Sequence, residues 1–328
     1  MHIFITRDIP DEGIKLLRKR KGIKLDIYKG DRAIPRLELF KRVRGVDILL
    51  SLLTDNIDAE VFKAAGVQLK MVANYAVGFD NIDLKEAAKR GIVVTNTPGD
   101  EIAESVAEHA LALLFALAHR IVEADTFMRT GKYHGWGPKM LLGTDVMGKT
   151  VGIVGAGRIG GYFARRLADG FGVKILYTNR KPDLDLEKKY GAKFVPLKEL
   201  LKNADFVSLH VPLTPETRHL IGTKQLQTMK KTAFLINTAR GPIIDEHALV
   251  QALKKGKIAG AALDVYECEP FVACNARDIT ELRRLPNVVL TPHTASATVE
   301  TRQAMSRRAA ENILAFLDGK TPPNAVKI

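Results

Sequence analysis

One stretch limits the possible folds of this chain more than any other. Residues 148–160 read Gly148-Lys149-Thr150-Val151-Gly152-Ile153-Val154-Gly155-Ala156-Gly157-Arg158-Ile159-Gly160. An apolar β-run ends directly in G-x-G-x-x-G, and an amphipathic helical pattern follows. In such a unit Gly155 permits the tight turn, Gly157 lets a pyrophosphate approach the backbone, and Gly160 lets the helix pack on the strand. The N–H groups left open at the helix start suit phosphates. The unit therefore demands a parallel, helix-covered sheet. Its mid-chain position places the start of a nucleotide domain well after residue 1.

The rest of the chain agrees with that demand. Short β-rich runs at 2–6, 47–51, 71–73, 93–95, 150–154, 173–177, 206–210, 233–237, 260–264 and 288–291 alternate with helical patterns such as 11–20, 84–90, 159–171 and 246–255. Apolar strands alternating with helices imply α/β folding with parallel sheets covered on both faces. We expect two Rossmann-like parallel-sheet domains. The first, flavodoxin-like and discontinuous, takes residues 1–98 and 294–328, because the helical pattern at 295–316 returns to it. The second, dinucleotide-binding, takes 99–293. A cleft between them is the expected ligand site.

Composition narrows the partners. The chain has 328 residues and a formal net charge of +13. Basic clusters such as Arg18-Lys19-Arg20-Lys21 come without a nucleic-acid-binding motif, so we read them as solvated helix faces and expect no nucleic acid. The apolar run 103–118 carries Glu104, Glu108 and His109, too short and polar for a membrane span. No signal peptide pattern opens the chain, and the expectation is a cytoplasmic protein. Its two cysteines, Cys268 and Cys274, fit a reducing compartment and read as inert thiols. No His/Cys/Asp cluster has metal-ligand spacing, so no metal is expected.

The strand after the glycine unit discriminates between nicotinamide dinucleotides. An acidic residue there would accept from the ribose hydroxyls of NAD. This chain instead has Thr178-Asn179-Arg180-Lys181. Asn179 does not repel an extra phosphate and Arg180 can pair with it, so NADP(H) is favoured over NAD(H). Three later strand ends carry Leu235-Ile236-Asn237-Thr238-Ala239-Arg240-Gly241, Ala262-Leu263-Asp264-Val265-Tyr266-Glu267-Cys268-Glu269-Pro270 and Leu290-Thr291-Pro292-His293-Thr294. The carboxyl ends of parallel strands face the ligand crevice, which puts Arg240, Glu269 and His293 there. Glu267 is close enough in sequence to compete with Glu269.

These motifs, their order, the glycine unit and the loop Asn74-Tyr75-Ala76-Val77-Gly78-Phe79-Asp80-Asn81-Ile82-Asp83 resemble the D-isomer-specific 2-hydroxyacid dehydrogenase family along essentially the whole chain. Within it, the Leu176–Arg180 run and the loop are most similar to glyoxylate/hydroxypyruvate reductases. The stretch between Glu269 and His293 is several residues longer than usual. The resemblance implies reduction of a small 2-oxo acid. His293 would be the general acid, as its near-neutral titration suits, Glu269 its partner and Arg240 the carboxylate clamp. It implies substrate contacts from Leu53, Val77 and Gly78. Cofactor contacts would come from Gly155, Gly157, Arg158, Ile159, Gly160, Asn179, Arg180, His210, Pro212, Thr217, Thr238, Ala239, Arg240, Asp264 and His293. It also implies a homodimer, built around the helix at 103–118 and the segment 125–145, and Trp136 could border the substrate pocket with Leu52 and Leu53.

Two alternatives stay open at this level. One is a D-lactate or other D-2-hydroxyacid dehydrogenase on the same framework. The other is a nicotinamide-sensing binding protein similar to corepressors that resemble this family. Such a sensor would have no need for Arg240, Glu269 and His293 together.

Overall fold

The computed structural model describes residues 1–269 and 277–327. They divide into two units, residues Met1–Ile102 with Ala297–Ile328, and Ala103–Ser296. Each holds one sheet, and every strand pairing within both sheets is parallel. No single helix among the described residues is long and apolar enough to cross a membrane.

In the first unit, β1 (His2–Ile5), β2 (Lys24–Ile27), β3 (Ile48–Leu52), β4 (Met71–Tyr75) and β5 (Val93–Thr95) form a sheet in the order β2-β1-β3-β4-β5. That is the flavodoxin-like winding. Successive side chains on a strand face opposite ways, so near-continuous apolar strands feed two cores. Phe4, Leu49 and Val72 join one apolar cluster, while Ile3, Ile5, Ile48, Leu50 and Met71 join the other.

The long helix Val299–Leu317 completes the second of these clusters with Met305, Ala309, Ala310 and Ile313. It starts at Val299 rather than near 295, because Thr298 caps it by accepting from the Thr301 N–H. The helix Asp11–Lys19 crosses it at Gly13, whose N–H donates to Ser306 Oγ at 3.0 Å. A Cβ at Gly13 would lie 2.1 Å from the Ser306 carbonyl oxygen, so only glycine lets the two backbones approach this closely.

In the second unit, β6 (Thr150–Val154), β7 (Lys174–Thr178), β8 (Lys193–Phe194), β9 (Phe206–Leu209), β10 (Phe234–Asn237), β11 (Gly260–Leu263) and β12 (Val288–Leu290) take the order β12-β11-β10-β9-β6-β7-β8. The chain reverses direction across the sheet between β6 and β9, the switch point where doubly wound sheets bind ligands. Here too the strands feed both faces. Val207, Leu209 and Leu235 pack on one side; Val151, Ile153, Phe206 and Ile236 pack on the other with Ala107, Leu114 and Phe163. The helix Asp100–Ala118 supplies Ala107 and Leu114, so much of its apolar surface is consumed inside its own chain.

The strands β2 and β8 were not anticipated. Both are short edge strands with few buried residues, the class least visible as an apolar run. One chemical expectation is corrected: Cys268 is disulfide-bonded rather than an inert thiol. Cys274 lies outside the described residues.

Gly13→Ala tests the helix crossing. Forcing a methyl into it costs about 1–3 kcal/mol, which lowers the melting midpoint of that transition by roughly 3–8 °C. Calorimetry showing an unchanged midpoint would mean the two backbones do not depend on this contact.

Candidate active site

The registers of the seven-stranded sheet align one row across six strands. Thr178 pairs with Val154, Val154 with Leu209, Leu209 with Asn237, Asn237 with Leu263, and Leu263 with Leu290. The residues that follow this row are therefore level at one edge: Asn179, Gly155, His210, Thr238, Asp264 and Thr291.

At the switch point Gly155 has φ +94°, open to glycine but strained for other residues. A Cβ on Gly160 would lie 2.4 Å from the Gly155 carbonyl oxygen, which fixes how closely the helix Arg158–Phe171 seats on the turn. Gly157 has nothing within 4 Å of its missing Cβ and caps the helix without a side-chain hydrogen bond. Open space in front of an uncapped helix start suits a pyrophosphate. Farther along the row, the Thr238 hydroxyl is buried without a hydrogen-bond partner. Together these features fit a dinucleotide.

Asn179 plays a different local part from the one expected. Its Oδ1 accepts from the Ala156 N–H at 2.7 Å, so it closes on the glycine turn. Arg180 beside it is exposed. His210 is also turned inward. Its ring contacts Phe163 and its Nε2 lies 2.9 Å from Ser208 Oγ. Burial pushes its pKa down to about 3, so the ring is neutral. Thr217 folds back on its own loop, donating to the Pro212 carbonyl at 2.7 Å.

Polar groups follow β10, β11 and β12 at the same edge of the sheet. Asn237, 1% exposed, receives the Ala239 N–H on Oδ1 and donates from Nδ2 to the Arg240 carbonyl. It thereby shapes the turn that presents Arg240. His293 has φ +55° and donates its N–H to the Asp264 carbonyl at 2.8 Å. Its Nδ1 lies 2.6 Å from Glu269 Oε2, and Glu269 Oε1 accepts from the Tyr266 N–H at 3.0 Å. Glu267 points elsewhere, to His219 Nε2 at 2.6 Å. Glu269 is thus the carboxylate that meets His293.

Asp264 stands among the cofactor contacts that the resemblance implies. Its side chain is 0% exposed and turned into the loop that carries His293. Oδ1 accepts from Thr291 Oγ1 at 2.6 Å and the Thr294 N–H at 2.8 Å, and Oδ2 accepts from the Ala295 N–H at 2.8 Å. His109 Nε2 lies 3.4 Å away, which gives that helix histidine a place in the same network. Burial works to raise the Asp264 pKa, but hydrogen bonds from His109, Thr291, Thr294 and Ala295 outweigh it and hold it below the usual carboxylate value. The sequence signal for this role was only an aspartate directly after a buried strand.

In the first unit, the loop after β4 carries Val77 and Gly78. The Asn96 side chain donates to the Val77 carbonyl at 2.7 Å and Asn74 donates to the Gly78 carbonyl at 3.0 Å. Asn81 in turn donates to the Leu52 and Asp55 carbonyls. Among the described residues no group of the chain accepts from the Val77 or Gly78 N–H. With both carbonyls tied back, the two amides are left with the geometry that suits an anion. Leu53, after β3, is half-buried.

Asp264→Ala is expected to cost about 3 kcal/mol, since several buried donors lose their acceptor at once. A carboxylate held low in the fold stabilises above its unfolded pKa, and that contribution is lost as pH falls through the folded value. The wild-type advantage in melting experiments should therefore be full at neutral pH and shrink below about pH 4. A variant equally stable at pH 7 would show that Asp264 does not anchor the loop.

Comparison with known proteins follows the same lines. Residues 111–295 match the family model described as D-isomer specific 2-hydroxyacid dehydrogenase, NAD binding domain. The chain is 52% identical over 325 residues to a glyoxylate reductase of Korarchaeum cryptofilum (strain OPF8), covering 99% of this chain and 95% of that protein. A crystal structure of a Thermus thermophilus protein superimposes with a TM-score of 0.90 at 44% identity, covering both chains fully. An NADPH-dependent glyoxylate/hydroxypyruvate reductase from Sinorhizobium meliloti, solved with citrate, gives 0.82 at 32% identity over 99% of this chain and 97% of that one. With a glycine-rich switch point, a carboxylate–histidine pair at the same sheet edge and this likeness over its whole length, the chain belongs to the D-isomer-specific 2-hydroxyacid dehydrogenase family, oxidoreductases that work with a nicotinamide dinucleotide.

Proposed function

We propose that this enzyme reduces glyoxylate or hydroxypyruvate to the 2-hydroxy acid, of D configuration where C2 becomes a stereocentre, with NADP(H) preferred over NAD(H). The observation that carries the reading is the His293 Nδ1–Glu269 Oε2 contact at 2.6 Å, at the same edge of the sheet as the nucleotide turn. A protein that only senses the dinucleotide gains nothing from a histidine held by a carboxylate. The glyoxylate reductase name of a relative at 52% identity supports the substrate.

When bound, the dinucleotide supplies the hydride to the substrate's carbonyl carbon. The Gly155–Gly160 turn and the Arg158 helix start hold its phosphates, and Thr238 offers a free hydroxyl. Arg240 holds the substrate carboxylate and the carbonyl oxygen with its planar fork. His293 gives the carbonyl oxygen a proton from Nε2. Its Nδ1–H stays on Glu269, which stabilises the imidazolium before transfer and fixes the ring's orientation throughout. Arg180 reads the extra phosphate of NADP from its exposed place after β7.

The exposed apolar residues of the segment 121–147, including Ile121, Met128, Leu142, Met147 and Trp136 at 83% exposure, support a homodimer built on this arm. Light scattering at about twice the chain mass of 36.1 kDa would agree with it; a monomer would exclude it.

Initial rates with glyoxylate, hydroxypyruvate and pyruvate, each with NADPH and NADH, test the substrate directly. Preference for pyruvate would favour a D-lactate enzyme instead. His293→Gln should lower kcat about 10²–10⁴-fold with NADPH binding retained, and the wild-type reduction rate should fall as pH rises and the imidazolium is lost. Arg180→Ala should weaken NADPH by about 10- to 100-fold, the worth of one charge-assisted contact, while NADH binding holds. Equal losses for both cofactors would remove Arg180 from that role.

A further inference from the structure

Next to the His293–Glu269 pair lies an acidic group that the reaction does not use. Glu246 opens the helix Glu246–Lys254 and is only 5% exposed. Buried glutamates normally have an ionic partner. Among the described residues no lysine, arginine or histidine pairs with this one.

What Glu246 holds is backbone. Its Oε1 accepts from the Glu267 N–H at 2.5 Å, and its own N–H donates back to Glu267 Oε2 at 3.3 Å. The preceding amide, Tyr266 N–H, is the one that Glu269 Oε1 accepts. Two successive amides of a single turn are thus held by two carboxylates. One is fixed on a helix, and the other is the partner of His293. The turn is hemmed in on its far side as well: a Cβ on Gly241, directly after Arg240, would lie 1.8 Å from the Tyr266 carbonyl carbon. The turn can neither slide toward Arg240 nor swing away from Glu246 without breaking a contact.

We propose that Glu246 is a positioning residue for the reduction: by holding the Glu267 amide it fixes the turn from which Glu269 reaches His293. The inference rests on the reading of His293 as the acid.

The surroundings of Glu246 are acidic. Burial pushes its pKa up to about 7; the Glu267 N–H works against this, and the carboxylates of Glu267, Asp278 and Glu269 add to it. The nearby histidines are already engaged, His219 with Glu267 and His247 with Asp278. Protonated or charged, the carboxyl keeps an oxygen that can accept the Glu267 N–H. Glutamine keeps that acceptor as well, whereas alanine removes it. The charge of Glu246 is therefore dispensable for positioning and its acceptor oxygen is not.

The test compares wild type, Glu246→Ala and Glu246→Gln as full-length enzyme. Three quantities are read: kcat and KM for glyoxylate with NADPH across about pH 5–9, NADPH affinity by fluorescence, and the His293 imidazole titration by NMR without substrate. Glu246→Ala should lower kcat about 10- to 100-fold, the cost of a misplaced catalytic group. It should also move the alkaline fall of kcat and the His293 titration to lower pH, with NADPH affinity kept. Glu246→Gln should restore kcat and both profiles. An alanine variant that only melts earlier, with profiles and kcat unmoved, overturns the proposal and leaves Glu246 structural. Glutamine as damaging as alanine overturns it too. If the alanine variant fails to fold, Glu246→Asp, one methylene too short to reach, is read in its place against the same outcomes. If wild type reduces no 2-oxo acid, the proposed function fails by itself. The NMR titrations still decide Glu246: displacement to lower pH supports it and coincidence overturns it.

Discussion

The parallel register of the seven-stranded sheet is the constraint on which the site depends. Parallel strands all end on one edge, and here the pairing from Thr178 through Leu290 leaves no stagger across six of them. Each strand therefore delivers its next residue to a common line. A slip of one residue in β12 would turn every side chain on it to the other face and carry His293 away from Glu269. The buried apolar strands resist such a slip, since both faces of the sheet are packed.

Past that edge, polar groups take over from the strands. Asp264 closes the loop after β12 by gathering donors from Thr291, Thr294 and Ala295 around one buried carboxylate, and Asn237 closes the turn of Arg240 by accepting at one end and donating at the other. His293 at φ +55° needs such support, because a non-glycine residue gains nothing from that conformation by itself. The first unit uses the same device. Asn74, Asn81 and Asn96 tie back carbonyls so that the amides of Val77 and Gly78 are left over. In both units, side chains turned back on the chain shape the backbone of the loops that follow the strands.

The fold class was legible because its signals are local. The G-x-G-x-x-G turn between strand and helix, and β-runs recurring between helical patterns, are read within short windows. The short edge strands Lys24–Ile27 and Lys193–Phe194 were missed because they bury little and so carry no apolar run. Asn179, His210 and Asp264 were recognisable as unusual residues at strand ends. Their partners were not, because a side chain at such a place can turn outward to a ligand or inward to the chain, and composition does not say which.

By itself, the sequence determined the parallel α/β architecture, the place of the nucleotide turn, and which residue types stand at the ends of β10, β11 and β12. Only the tertiary structure decided how those residues are shared out. It gave His293 to Glu269 and His219 to Glu267, although the two glutamates stand two residues apart. It turned Asp264 and Asn179 inward, and it set Glu246 beneath the turn of Tyr266 and Glu267. Such choices depend on distances between groups far apart in the chain, and those distances are fixed only once sheet register and helix packing exist.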